Sequence, residues 1–140
     1  MNRPATPRMT PFRFRLDLQS GVPVYRQIID QVQGGIASGS LIAGDQLPTV
    51  RQVAVDLAIN LNTVLRAYRE LEIRGVLETQ QGTGTFISHQ RVERDTAERQ
   101  RRLNQLVGEL AARAGSEGFT VEELIEQLQD FRRDAGKNRR

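Results

Sequence analysis

The chain has 140 residues, 38% hydrophobic and 5% aromatic with no tryptophan, enough for one aliphatic core and an appendage but not for two full domains. It has no cysteine, which excludes disulfide frameworks, thiolate metal sites and thiol nucleophiles and makes the cytoplasm the expected compartment. Twenty Lys and Arg against 17 Asp and Glu give +3; the basic side is nearly all Arg, whose planar fork suits phosphate, although +3 by itself does not require a nucleic-acid partner.

Residues 1–14 read as a flexible basic arm, with Arg3, Arg8 and Arg13 set among Pro4, Pro7 and Pro11, a composition that cannot bury itself. The arm lacks the apolar run of a signal peptide, and no stretch of about 18 uncharged apolar residues follows it, so no membrane association is expected. A first helix is predicted from Pro23, in the first helical turn, to Gly39, with Tyr25, Ile28, Ile29, Val32 and Ile36 on one stripe. Residues 40–48 read as a connector. The pattern Thr49-Val50-Arg51-Gln52 has the form of a capping box opening a short second helix with Val50, Val53, Ala54 and Leu57 inward. After a break at residues 58–60, a third helix is predicted over 61–74, burying Val64, Ala67, Tyr68 and Leu71 and stopped by Gly75. Two helices joined this closely predict a helix-turn-helix.

Residues 76–80 and 85–88 are rich in β-favouring types and flank Gln81-Gly82-Thr83-Gly84, a tight turn whose glycines tolerate positive φ. The order helix, helix-turn-helix, hairpin is that of a winged helix. From Gln90 onward Leu103, Leu106, Val107, Leu110, Ala111 and Ala114 recur at helical spacing up to Gly115. Thr120 and Glu123 form a second capping box for a fifth helix, with Phe119 stapled onto Leu124 and an apolar face of Val121, Leu124, Ile125, Leu128 and Phe131. Residues 136–140 read as a basic frayed tail. The fold class is therefore α+β, mostly helical: a winged helix-turn-helix over 15–88 followed by a two-helix tail over 89–140.

No enzyme is indicated, because no nucleophile and base can be paired by spacing. His89 is the single histidine, so neither a metal site nor a cofactor is expected. The basic run Arg91, Arg94, Arg99, Arg101 and Arg102 is interleaved with Glu93, Asp95 and Glu98, as on a solvated helical face.

Several linked motifs, Leu47-Pro48-Thr49-Val50-Arg51, then the stretches 57–64 and 67–71, then Gly82-Thr83-Gly84-Thr85-Phe86-Ile87, together resemble the GntR family of bacterial transcription regulators. The resemblance spans about residues 17–88, and the short remainder resembles the YtrA-type subgroup, whose two C-terminal helices serve dimerisation. It implies a sequence-specific DNA-binding regulator, a repressor acting as a homodimer on a palindromic operator, with DNA contacts at Arg51 and at the start of the third helix. The same likeness suggests control of a nearby transporter operon. The sequence departs from the family pattern at Leu61 and Leu65.

Residue chemistry supplies an independent reading of the third helix. Leu61, Asn62, Leu65, Arg66 and Arg69 lie opposite its core face and would meet a major groove, where Asn bonds an adenine edge and Leu packs only apolar surface such as a thymine methyl. Thr49, Asn60, Asn62 and Thr63 at the two helix starts can cap and also bind phosphate, since orphan amides attract anions. Gly82, Thr83 and Gly84 would form the wing tip. Leu103, Leu106, Val107, Leu110, Leu124, Ile125, Leu128 and Phe131 form two apolar stripes that either fold back on the winged helix as core or pair with a second copy; one copy would have difficulty covering both, and the resemblance implies pairing, which makes them the expected dimer surface. The expected partners are double-stranded DNA and a second copy of the chain; no effector is identified. A winged helix serving only protein contact, or binding RNA, is the alternative.

Overall fold

The computed structural model describes residues 12–89 and 95–138. Along them run α1 (Val24–Ser38), α2 (Val50–Leu57), α3 (Leu61–Ile73), β1 (Leu77–Gln80), β2 (Gly84–Ile87), α4 (Thr96–Ser116) and α5 (Val121–Asn138). The mostly helical α+β order predicted from the sequence is the one observed. Among the described residues, 12–89 with 135–138 form one compact unit and 95–134 another.

In the first unit, α1 begins one residue later than expected: Pro23 is its N-cap and Gly39, at φ 85°, its C-cap. Ile28, Ile29 and Val32 are buried as predicted, but the stripe ends on buried Gly35 rather than Ile36, which is 40% exposed. The cause is close approach. A Cβ on Gly35 would stand 2.9 Å from Leu41 Cδ1 and 3.1 Å from Ser40 Oγ, so only glycine lets the chain fold back here and lets the Leu41 amide donate to the Gly35 carbonyl at 3.0 Å.

Part of the expected arm belongs to this core, since Phe14 is buried and Phe12 meets its ring edge-on at 5.1 Å. The extended segment after it is clasped by two glutamines one turn apart on α1. Gln31 accepts from the Arg15 amide at 2.8 Å and donates to the Arg15 carbonyl at 2.7 Å. Gln27 does the same for Asp17, both bonds at 2.9 Å. Each side-chain amide thus replaces a neighbouring β-strand as partner for extended backbone. The rest of the expected arm, 1–11, lies outside the described residues.

Both elements of the helix-turn-helix start on side-chain caps. Thr49 accepts from the Gln52 amide at 3.1 Å while Gln52 accepts from the Thr49 amide at 2.9 Å, completing the predicted capping box. Asn60 accepts from the Asn62 amide at 2.7 Å. Between the helices Ala58 sits in the left-handed region at φ 54°, its amide turned back on Ala54 and Val55. A non-glycine residue there costs about 1 kcal/mol, offset by packing of Leu57 and Ile59 on either side against the core. α3 buries Val64, Ala67, Tyr68 and Leu71 as predicted, and it packs on α1, α2 and β1.

The hairpin pairs Leu77 with Ile87 through Gln80 with Gly84, leaving a three-residue loop. Residues 40–48 are more than the connector expected from their composition. Gly44 donates to the Ile87 carbonyl and Ile87 to the Asp45 carbonyl, both at 2.8 Å, and Leu47 donates to the Thr85 carbonyl at 2.9 Å. This segment therefore lines the free edge of β2, and Gln46 bridges Phe86 in antiparallel fashion.

The second unit is built differently. α4 runs through Gly115 to Ser116, and the Thr120–Glu123 capping box that opens α5 is present at 2.9 and 3.1 Å. α5 continues to Asn138, so the frayed tail expected from Gly136 is helical for its first part and lies outside the described residues after that. Phe119 is exposed, as are Leu103, Leu106, Val107, Leu110, Val121, Ile125, Leu128 and Phe131, at 45–58%; Leu124 is half-buried.

The Tyr68 hydroxyl donates to the Pro48 carbonyl at 2.7 Å, fastening α3 to the residue before the cap of α2, and burial pushes its pKa up. Tyr68→Phe removes this donor and leaves a partly buried carbonyl unpaired. The variant is expected to lose about 1–2 kcal/mol of stability, read as a lower urea midpoint with unchanged m-value.

Candidate nucleic-acid interface

The burial of one face of α3 dictates what the other presents. Asn62, Arg66 and Arg69 are exposed, Leu61 is 39% exposed, and Thr63 and Leu65 are half-buried. Asn62, Leu65, Arg66 and Arg69 line a single shallow groove with Glu70 and Ile73, so the structure brings these four predicted residues together. Ile73 extends the groove at the C-terminal end and is 81% exposed.

Arg66 is not a free side chain of this groove. Its guanidinium lies 3.8 Å from the centre of the Tyr25 ring, in the first turn of α1, a cation–π contact that holds the cation toward α1. Tyr25 was expected only as part of the apolar stripe of α1. No sequence signal marks the pairing, since 41 positions separate the two residues.

At the start of α2, Thr49 and Arg51 are both exposed. The Gln52 amide goes to the cap and the Val53 amide to the Thr49 carbonyl at 3.0 Å, so the remaining first-turn donors are those of Val50 and Arg51, the pair an external anion would take. Asn60 and Thr63 are occupied locally: the Asn60 side chain caps α3, and its carbonyl accepts from the Thr63 amide at 3.1 Å.

The three predicted wing residues separate into two roles. Gly82 and Thr83 lie in the turn, where the Thr83 amide donates to the Gln80 carbonyl at 3.0 Å and Gly82 takes φ 78°, the conformation a type II turn asks of its third residue. Gly84 is already paired within β2, at φ 139°. Behind it the Gln46 amide donates to the Thr83 carbonyl at 3.1 Å, and a Cβ on Gly84 would collide with that side chain. Gln46 thus props the turn from the segment before α2, a role invisible in a residue 37 positions away. His89 is exposed at the end of the hairpin, and among the described residues no cluster of His, Asp and Glu could hold a metal. No helix among them is long and apolar enough to cross a membrane.

Residues 24–87, from α1 to the end of the hairpin, match the pattern of the bacterial regulatory proteins of the gntR family. The chain is also 38% identical over 114 residues to YhcF, an HTH-type transcriptional regulator of Bacillus subtilis (strain 168), covering 81% of this chain and 93% of that one. This chain belongs to the GntR family. Its similarity to the HTH-type transcriptional repressor YtrA of the same organism is 33% over 120 residues, 86% of this chain and 92% of YtrA. Among solved structures, YtrA from Sulfolobus acidocaldarius, a GntR-family transcription factor, superposes with a TM-score of 0.54 at 30% identity over 71% of this chain and 97% of that one. A transcriptional regulator from Oenococcus oeni gives 0.53 at 34% identity over 82% and 95%. The GntR protein described here is accordingly a transcription regulator with a DNA-binding winged helix-turn-helix, and not an enzyme.

The two wing glycines should respond differently to substitution. Gly82→Ala meets no atom within 4 Å and strains only its own φ, a cost of about 1–2 kcal/mol. Gly84→Val adds displacement of Gln46 to a φ of 139°, which is still less open to a side chain, and is expected to cost about 1–3 kcal/mol more. Thermal unfolding of the two variants checks the order, with equal losses arguing against a prop at Gln46.

Proposed function

We propose that the protein is a repressor acting as a homodimer on a palindromic operator, with α3 of each copy in a major groove. The observation that carries this reading is the outward face of α3, a groove of amide, guanidinium and short apolar side chains beside the exposed Thr49 and Arg51 of α2. Phosphate contacts from Thr49, Arg51, the first-turn amides and Arg69 position the protein, while Leu61, Asn62 and Leu65 meet base edges. Asn60 acts through the helix start it caps and Thr63 through its amide bond to the Asn60 carbonyl, and Gly82, Thr83 and Gly84 let the wing backbone approach the sugar-phosphate edge. That YtrA is named a repressor supports the direction of regulation.

The same reading divides the labour along the chain. Residues 15–88 read DNA, and 89–140 pair the subunits. Supporting the second assignment, Leu103, Leu106, Val107, Leu110, Ile125, Leu128 and Phe131 are all about half exposed in the single chain, an apolar surface that a soluble monomer does not normally leave open. Two-fold pairing through these residues and Leu124 would present two recognition helices to two half-sites, so that modest half-site affinities combine.

Fluorescence anisotropy with operator and scrambled duplexes tests the DNA assignment. Arg51→Ala and Asn62→Ala are each expected to lose about 1–3 kcal/mol of operator binding with the fold intact, and unchanged affinity in both would remove these residues from the interface. Sedimentation equilibrium tests the assembly. The full-length chain is expected to be dimeric at micromolar concentration, and Leu106→Glu with Leu128→Glu to be monomeric, since each places an unpaired charge in an apolar contact. A dimer that survives both charges would mean that the tail has another role.

A further inference from the structure

The first two turns of α3 are where a recognition helix meets base edges, and here the one cation they carry is engaged within the protein. Leu61, Asn62, Thr63, Val64 and Leu65 are uncharged, and Arg66, the first basic residue of the helix, has its guanidinium on the Tyr25 ring at 3.8 Å. Guanine shows the major groove two acceptors, N7 and O6, and is best read by the double donor of Arg or Lys. That reader is missing from this end of the helix. What it offers instead is one amide and two leucines. The Asn62 backbone amide is already taken by Asn60 at 2.7 Å, while its side chain is exposed in the groove beside Leu65. An asparagine amide matches the donor and acceptor of adenine N6 and N7, and an exposed leucine side chain finds its one apolar partner among the base edges in the thymine C5-methyl.

We infer that the protein selects A·T pairs at the centre of each half-site, Asn62 reading adenine while Leu61 and Leu65 pack on thymine methyl groups. The inference rests on the reading of α3 as the recognition helix and adds to it the identity of the bases. Arg66, tethered to α1, contributes charge to the flanking phosphates and no base preference. The exposure of Leu61 at 39% and the half-burial of Leu65 fit this use: both are short of the core yet apolar.

The test uses the full-length chain and duplexes selected from a randomised pool, followed by replacement of single thymines with deoxyuridine, which deletes only the methyl group. Selected half-sites are expected to carry A·T at their centre. Deoxyuridine at one or two of these thymines should weaken binding about fourfold each, the equivalent of about 0.8 kcal/mol for one buried carbon. Leu65→Ala or Leu61→Ala should abolish the sensitivity at its own thymine, and both keep a good helix former in α3. Arg66→Ala is expected to weaken selected and scrambled duplexes by the same factor. Half-sites centred on G·C, indifference to deoxyuridine at every thymine, or a guanine preference lost with Arg66 would overturn the inference while leaving the DNA-binding reading in place. Failure to select any sequence would instead overturn that reading itself.

Discussion

The structure depends on the burial of one stripe of α3. Val64, Ala67, Tyr68 and Leu71 are each 2% exposed or less, and three other elements close on them. Each large apolar side chain so buried contributes about 1.5–3 kcal/mol, and the four together fix the rotation of the helix about its own axis. Once that rotation is fixed, the residues at the intervening positions have nowhere to go but outward. The outward face is therefore a by-product of the core, and a shift of one residue in the register of α3 would turn it about 100° away from its present direction.

Around that helix the rest of the winged unit acts as a positioning frame. Tyr68 holds the start of α2 through the Pro48 carbonyl, the capping box fixes where α2 begins, and Leu47 bonds the Thr85 carbonyl of the wing. Three successive residues, 47–49, thus connect α3, α2 and the hairpin. A site that meets a rigid ligand such as duplex DNA gains from this arrangement, because elements held by hydrogen bonds need little ordering on contact.

Much of this was legible in the sequence. The capping boxes at Thr49 and Thr120 were readable because their partners stand three residues apart, and the buried side of α3 because helical period alone specifies it. Expectation and structure part where a long-range contact decides. Phe14 looked like part of a basic arm and is core; its alternation with Phe12 and Leu16, read as an extended segment with one inward face, was the available signal. Gly35 displaced Ile36 because the chain turns back onto α1, and residues 44–47 became an edge of the hairpin although their composition is that of a loop. The pairings Tyr25 with Arg66 and Gln46 with Thr83 left no local trace.

The sequence by itself determined the helices, their caps, the hairpin and the family, since each of these is written in spacings of two to four residues or in motifs that follow one another along the chain. Only the tertiary structure decided which exposed cation is tethered, which glycine of the wing is propped and where the core begins. Those outcomes depend on residues 16 to 41 positions apart: Arg15 with Gln31, Gln46 with Thr83 and Tyr25 with Arg66. Periodicity carries no information across such separations, because what brings the partners together is the packing of whole elements on α3.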